Sequence, residues 1–383
     1  VIASIQQAVG RFMFCALAPM LYNVGIIIGT VWFTGGVNLF GWQIFDGGIM
    51  GVALGVVLGS FLQLIVSAVG LAGLGFDYNF KIYWRNKGFR KVLSLLPARS
   101  VDQGMDYVVS LVEVNLASRL VDGTVRAYQQ ALTLHMMPIN LIGVAISNAA
   151  FPQLTEHLGE GRNDLFQKDL RSLLRIIFWM ALPVSVVIFF TRGYVVHFIR
   201  NTGDQLIAGI LGCLVVAILF RTIYHMAARA FYARQDTKTP LYISIFSITL
   251  NIILAIVLSM VLKMGAYGLA WAQSTVAVLE VVVLLAVMNR QMPKLFDMTF
   301  VRAIFKMIIA GTITGVVCYI AVLIMPFRYH DDSFFSAFPK FVIISLVSFG
   351  TYAAASKWLK LPEIDPILAR LKKVLFGRLE FKG

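Results

Sequence analysis

The sequence has 383 residues, 59% of them hydrophobic and 14% charged, with a mean hydropathy of +0.80. A soluble domain carries about 45–50% apolar and about 25% charged residues, so an ordinary soluble enzyme and a disordered chain are both excluded. Three cysteines (Cys15, Cys213, Cys318) cannot build a disulfide scaffold.

A span needs roughly 20 mostly apolar residues. Ten segments meet that need, at about 12–33, 48–74, 100–121, 125–152, 173–191, 205–229, 241–262, 266–288, 303–325 and 339–357. The class is an all-α integral membrane protein of about ten transmembrane helices. The chain opens on Val1 without a cleavable signal pattern, so the first run reads as a span. The third and fourth segments are the weakest by hydropathy, because they carry Asp102, Asp106, Glu113 and His135. Lipid-exposed irregular backbone is not tolerated in hydrocarbon, whereas polar side chains can face a cavity.

Roughly three quarters of the Lys and Arg fall on one side of this ten-span arrangement, in the 75–99 and 153–172 loops, the 229–240 and 289–306 connections and the tail. The positive-inside rule then places both ends in the cytoplasm. The net charge of +14 is thereby a topology signal, with anionic lipid headgroups rather than nucleic acid as partners. Lys81, Arg85, Lys87, Arg90 and Lys91 form a juxtamembrane basic belt. In the tail, residues 359–383, Ile364, Ile367, Leu368, Leu371 and Val374 recur at helix spacing opposite Arg370, Lys372 and Lys373, as in an interfacial helix.

Gly48, Gly51, Ala53, Leu62 and Val66 recur 217 positions later as Gly265, Gly268, Ala270, Leu279 and Val283. Each set opens the second helix of a pair, and the helix before it begins near a proline, Pro19 or Pro240. Such parallel repeats build transporter lobes around a central site. Four helices of its own lobe precede the second copy and none precede the first, so four further helices are expected upstream of Val1.

Arg99, Asp102, Asp106 and Glu113 fall on a stripe about 60° wide at 100° per residue. The stripe reads either as the wall of a hydrophilic cavity, or as an interfacial cluster pairing within itself, with Glu113 the deepest member. Arg221 and His225 are four apart and share a face. They read as an anion contact for a phosphate-bearing substrate, since the guanidinium fork grips phosphate at two points. The competing readings are a structural pair between Arg221 and Glu280, or snorkelling. No nucleotide-binding or hydrolytic motif is present in the sequence, so energy would come from an ion gradient, the membrane potential or the substrate gradient.

The segment Ala228-Arg-Ala-Phe-Tyr-Ala-Arg-Gln-Asp-Thr-Lys-Thr-Pro240 resembles the signature joining the tenth and eleventh helices of the MurJ/MviN lipid II flippases. Asp236 and Thr237 are expected to cap the turn, with Pro240 starting the next helix. Met137-Pro138 to Ala150-Phe-Pro-Gln-Leu154, Leu116-Ala-Ser-Arg-Leu120, Ala18-Pro19 to Asn23, and Gly268-Leu-Ala270 are similar to further family segments.

The resemblance implies a two-lobe exporter fold with an extra C-terminal helix pair. Residues 1–74 would be a remnant of the first lobe, 75–99 a basic cytoplasmic loop, 100–290 the second lobe, and 291–358 the pair forming a lipid-tail groove. It implies a bacterial inner-membrane flippase, not an enzyme, that moves undecaprenyl-pyrophosphate-linked peptidoglycan precursor outward; the oligomeric state is left open by the sequence, with a monomer expected. The implied substrate cavity holds Arg99, Asp102, Asp106, Glu113, Thr133, Arg221 and His225. Thr133 stands where the family carries an arginine. A candidate cation site for Na+ or H+ is implied at Glu113, Asn251 and Gln273, with Ser274 an alternative to Gln273; no other cofactor is expected. Competing functions are another oligosaccharide-lipid flippase, a cation-coupled drug exporter of the same superfamily, and a non-transporting membrane scaffold.

Overall fold

The computed structural model describes residues 2–10, 12–39, 42–45, 47–73, 84–200, 204–293, 295–326 and 334–365. The chain divides into two compact units, residues 1–86 and 87–383.

The first unit holds α1 (Ile2–Ala8), α2 (Phe12–Ile28) running into a π turn at Gly29–Phe33, an antiparallel hairpin of β1 (Val37–Leu39) and β2 (Trp42–Phe45), and α3 (Ile49–Val69). The hairpin is a short connection between two helices and leaves the all-α class as expected. α2 and α3 touch backbone to backbone through glycine. A Cβ on Gly25 would lie 2.3 Å from the Gly59 Cα, and one on Gly29 would lie 2.4 Å from the Gly55 Cα. Lipid tails are as apolar as leucine, so close van der Waals approach, not water exclusion, holds such a pair.

The second unit begins with α4 (Lys87–Ser118). α5 (Thr124–Pro138) continues through a π turn, Ile139–Val144, into α6 (Ala145–Gly159). Then follow α7 (Asn163–Arg200), α8 (Gln205–Ala233), α9 (Lys238–Ile256) with a π turn at Val257–Val261, α10 (Ala266–Gln291), α11 (Met298–Ile324), α12 (Phe334–Trp358) and a 3-10 turn at Pro362–Ile364. Among the described residues nine helices are long and apolar enough to cross a membrane. The segment expected at 100–121 lies in α4, whose apolar stretch, Tyr107–Ser118, is shorter. Residues 87–99, expected as loop, are the first turns of α4. The basic residues there are good helix formers, so charge marked the membrane edge without marking a helix end. The expected tail helix falls largely on 366–383, outside the described residues.

α8 is the centre of this unit, packed by α5, α7 and α10. Its Ile210, Leu211, Leu214, Ala217, Met226, Ala227 and Ala230 are fully buried. Three helix starts follow from acidic caps. Asp204 accepts from the Leu206 and Ile207 N–H groups, and Asp297 accepts from Phe300 N–H at 2.9 Å. Asp236 accepts from Thr239 N–H at 3.0 Å and from its hydroxyl at 2.6 Å. The Thr237 side chain makes no cap, contrary to expectation, because one carboxylate already serves both Thr239 donors.

The two halves of the sequence repeat share one backbone device. Gly48 (φ 62, ψ −135) precedes α3 and Gly265 (φ 59, ψ −134) precedes α10. This region is essentially open to glycine alone. In each case a π turn ends the preceding helix, and the glycine three residues on meets its backbone: Gly51 against Phe33, Gly268 against Leu258.

At the other edge α7 is tied to the last helices. Arg171 pairs with Asp297 at 2.7 Å, Arg175 with Glu363 at 2.5 Å, and Trp179 Nε1 donates to Ser356 Oγ at 3.0 Å.

Candidate functional site

α4, α5, α8, α9 and α10 enclose a cavity of about 430 Å³ within the second unit. Its wall is mixed. Met136, Ile139, Ile248 and Val276 supply apolar surface, while Glu113, Arg221, His225, Asn251, Gln273 and Glu280 bring polar groups to the same space. A charge on a spanning helix is costly unless it is paired or faces such a cavity, so the apolar helices and the buried charges are consistent only in this arrangement.

Glu113 is 2% exposed. Its Oε2 accepts from the hydroxyl of Tyr128 on α5 at 3.0 Å, and its Oε1 accepts from Gln273 Nε2 on α10 at 2.8 Å. One carboxylate therefore joins α4, α5 and α10. Sequence reasoning missed Tyr128. The available signal was a tyrosine inside a weakly apolar span, since a buried tyrosine hydroxyl needs a partner.

Arg221 lies opposite. Its Nη1 meets Glu280 Oε2 at 3.1 Å, and its guanidinium sits 5.9 Å over the Tyr224 ring. The Arg221 side chain keeps 24% of its surface open, whereas that of Glu280 keeps 3%. The reading of Arg221 as a partner for Glu280 is thus realised in geometry, and the arginine still faces the cavity. His225 lines the cavity one turn on, and Arg229, missed from sequence, continues the stripe at the next turn. Its signal was the same four-residue spacing carried one step further. Arg229 also lies 5.5 Å over the Phe151 ring.

Asn251 is 2% exposed, and neither its amide oxygen nor its amide nitrogen has a hydrogen-bond partner among the described residues. It shares the cavity with Glu113 and Gln273. The donor set suits a hard monovalent cation: a carboxylate, an unsatisfied amide oxygen, and the Gln273 amide, whose oxygen would replace its nitrogen toward Glu113 on rotation of the carboxamide. Ser274, weighed as an alternative to Gln273, instead donates to the Cys213 carbonyl at 2.6 Å. No cluster of three or more His, Cys, Asp or Glu suited to a metal occurs among the described residues.

Four further residues belong to the expected site: Thr133, Arg99, Asp102 and Asp106. Thr133 is exposed on α5, donates to the Gln129 carbonyl at 2.9 Å and borders a shallow hollow with Leu132, Met136, Met137 and Asn140, the first two of which also line the cavity. The 100° advance per residue explains the exposure: Thr133 and His135 are two apart, and the buried His135 lines the cavity. Arg99, Asp102 and Asp106 lie on α4, and their side chains are outside the described residues.

Outside the spans, two carboxylates are held ionised. Partial burial of Asp236 opposes ionisation, but the Thr239 hydroxyl and N–H, with Gln291, outweigh it and hold the carboxyl below its ordinary value. The Thr299 hydroxyl and Phe300 N–H, helped by Arg171, do the same for Asp297.

Residues 1–338 match the sequence profile of the family described as "Lipid II flippase MurJ". Similar proteins include the probable lipid II flippase MurJ of Thermotoga maritima, 26% identical over 373 residues, covering 96% of this chain and 69% of that protein. The corresponding protein of Borreliella burgdorferi is 24% identical, covering 72% of this chain and 53% of its own length. That of Bdellovibrio bacteriovorus is 25% identical, covering 80% and 58%. The chain thus spans between about half and about two thirds of these relatives' lengths. A solved structure titled "Lipid II flippase MurJ, inward closed conformation" aligns with a TM-score of 0.67 at 24% identity, over 93% of this chain and 69% of that one. An outward-facing multidrug MATE transporter aligns more loosely, with a TM-score of 0.50 at 10% identity over 70% and 63%.

Proposed function

The chain belongs to the lipid II flippase MurJ family, and on that premise we propose that it carries a lipid-linked peptidoglycan precursor across the bacterial inner membrane. The family's members are integral membrane transporters rather than enzymes. The observation that carries the reading at this chain's own residues is that a partly open Arg221, ion-paired to Glu280, and a buried Glu113 share one membrane-embedded cavity. A guanidinium binds phosphate oxygens in two-point geometry, which suits a diphosphate headgroup. On the ten-span reading, the distribution of Lys and Arg favours both ends of this chain on the cytoplasmic side, where anionic lipids would attract them.

Glu113, Asn251 and Gln273 form the coupling site, taking Na+ or a proton when the headgroup moves. Neutralising Glu113 would weaken its bond from Gln273 and loosen α10 from α4, so cation occupancy and helix packing are linked. The pair α11–α12 offers the extra apolar surface a long lipid tail needs and argues against a drug exporter, whose fold in this superfamily ends before such a pair.

Reconstitution tests this. Vesicles holding the protein are given labelled lipid-linked disaccharide-peptide, with a Na+ gradient, a pH gradient or neither. Faster flipping under one gradient, abolished by Glu113→Gln, supports the coupling. Equal flipping under all three conditions removes the cation site while leaving the flippase reading intact.

A further inference from the structure

Glu280 is a carboxylate placed where it opposes anion binding. It meets Arg221 at 3.1 Å from α10 and lines the same cavity, but at 3% exposed it offers far less open surface there than the arginine, whose side chain is 24% exposed. Arg221 is also close enough to Glu113, His135 and His225 to interact with each electrostatically. The guanidinium is the hub of this network, and Glu280 is its nearest anion.

A ligand that uses Arg221 must compete with that tethered carboxylate. Coulomb attraction scales with ligand charge at a given distance. A diphosphate carries at least two negative charges on oxygens that match the guanidinium fork. An ordinary phospholipid phosphodiester carries one, as Glu280 does. The surrounding bilayer presents that phosphodiester at overwhelming concentration, so a bare arginine in a membrane cavity would be occupied by it. Specificity is a difference of affinities and is often built by an element that penalises the wrong ligand.

We propose that Glu280 is a positioning residue that acts as a tethered competitor for Arg221, so that the cavity rejects monoanionic phospholipid headgroups and admits a diphosphate. The proposal rests on the flippase reading above and deepens it: it assigns the choice of headgroup class to one ion pair between α8 and α10.

The test uses the protein in vesicles of phosphatidylethanolamine into which phosphatidylglycerol is titrated. The initial flipping rate is measured against the concentration of labelled lipid-linked disaccharide-peptide. Wild type keeps a constant apparent KM across the titration. Glu280→Gln has a KM lowered on the order of tenfold without phosphatidylglycerol, as expected for releasing a close charge pair, and loses that gain as phosphatidylglycerol is added. Glu280→Asp, which retains the charge, behaves like wild type. A Glu280→Gln KM that ignores phosphatidylglycerol, or that is unchanged in its absence, overturns the proposal.

Glu280→Gln leaves Arg221 without this counter-charge, so the charge-neutral double variant Arg221→Gln/Glu280→Gln is measured beside it. The double variant should have a raised KM that phosphatidylglycerol does not affect; a wild-type KM there also overturns the proposal. A binding measurement separates the two readings. If wild type flips nothing, the flippase reading fails. Displacement of bound polyprenyl diphosphate by phosphatidylglycerol from Glu280→Gln but not from wild type still supports the competitor role, and equal displacement from both overturns it.

Discussion

Gln273 Nε2 donates to Glu113 Oε1 at 2.8 Å, joining α10 to α4 across 160 positions of sequence. With Tyr128 on the second oxygen, this makes Glu113 the point where three helices meet. Its chemistry and the packing of the cavity are therefore coupled, and substitutions there should separate transport from folding.

Glu113→Gln keeps the shape and can still bond to Tyr128, but it removes the charge. The expected loss in kcat/KM for flipping is on the order of ten- to a hundredfold, matching the roughly 1.5–3 kcal/mol of hydrogen bonds to a charged group. Gln273→Ala should lose less, because Tyr128 remains. Flipping kinetics in vesicles, with detergent-phase melting as the control for folding, measure both. Unchanged kinetics in Glu113→Gln would leave the carboxylate a packing feature only.

Gly265 has an open surrounding, since an added Cβ would meet nothing within 4 Å. Gly265→Ala therefore probes backbone conformation alone, and φ 59 with ψ −134 costs a side chain about 1–3 kcal/mol. Gly265→Asn should cost as much as Ala, because that ψ lies outside the left-handed helical region which asparagine tolerates. Melting of the two variants checks the point; a stable Asn variant would contradict it.

The repeat that contains Gly265 was legible in sequence because glycine at a fixed backbone demand leaves a residue-type signature, and Gly48 meets the same demand. The spanning helices were legible because hydrophobic length is set by the bilayer. The start of α4 at Lys87 was not, since the lysines and arginines there serve equally in a loop or a helix. Nor was the choice at Arg221: spacing placed it on a face with His225, but only the 3.1 Å approach of Glu280 from another helix shows its partner. Thr133 entered the expected site through the family resemblance alone, which carries no information about whether its side chain is buried; on α5 it is exposed.

Asp236 should govern how α9 begins. Its carboxyl is held below its ordinary value of 3.8. A depressed carboxylate contributes its stability above the unfolded value and loses it as pH falls through the folded one. The turn should therefore hold at neutral pH and loosen only below about pH 4. Hydrogen exchange at the Thr239 amide should rise there in wild type. In Asp236→Ala it should be fast at every pH, with a stability cost of about 1 kcal/mol for the lost cap.

Arg175 and Glu363 tie α7 to the turn after α12, with side-chain exposures of 18% and 6%. Removing one partner of such a buried pair costs about 3–5 kcal/mol, whereas replacing both with apolar residues is often near neutral. Arg175→Met alone should therefore lower the melting midpoint sharply, and Arg175→Met/Glu363→Leu should recover most of it. Equal loss in the double variant would mean that the charges do more than neutralise each other.

The central claim is that this cavity passes a lipid-linked diphosphate headgroup using Arg221. It is tested most directly by flipping of labelled lipid-linked disaccharide-peptide in vesicles, comparing wild type, Arg221→Lys and Arg221→Ala at matched incorporation. Wild type should flip, Arg221→Lys should retain part of the rate because lysine lacks the fork, and Arg221→Ala should fall to the level of protein-free vesicles. Flipping by Arg221→Ala at the wild-type rate would contradict the account.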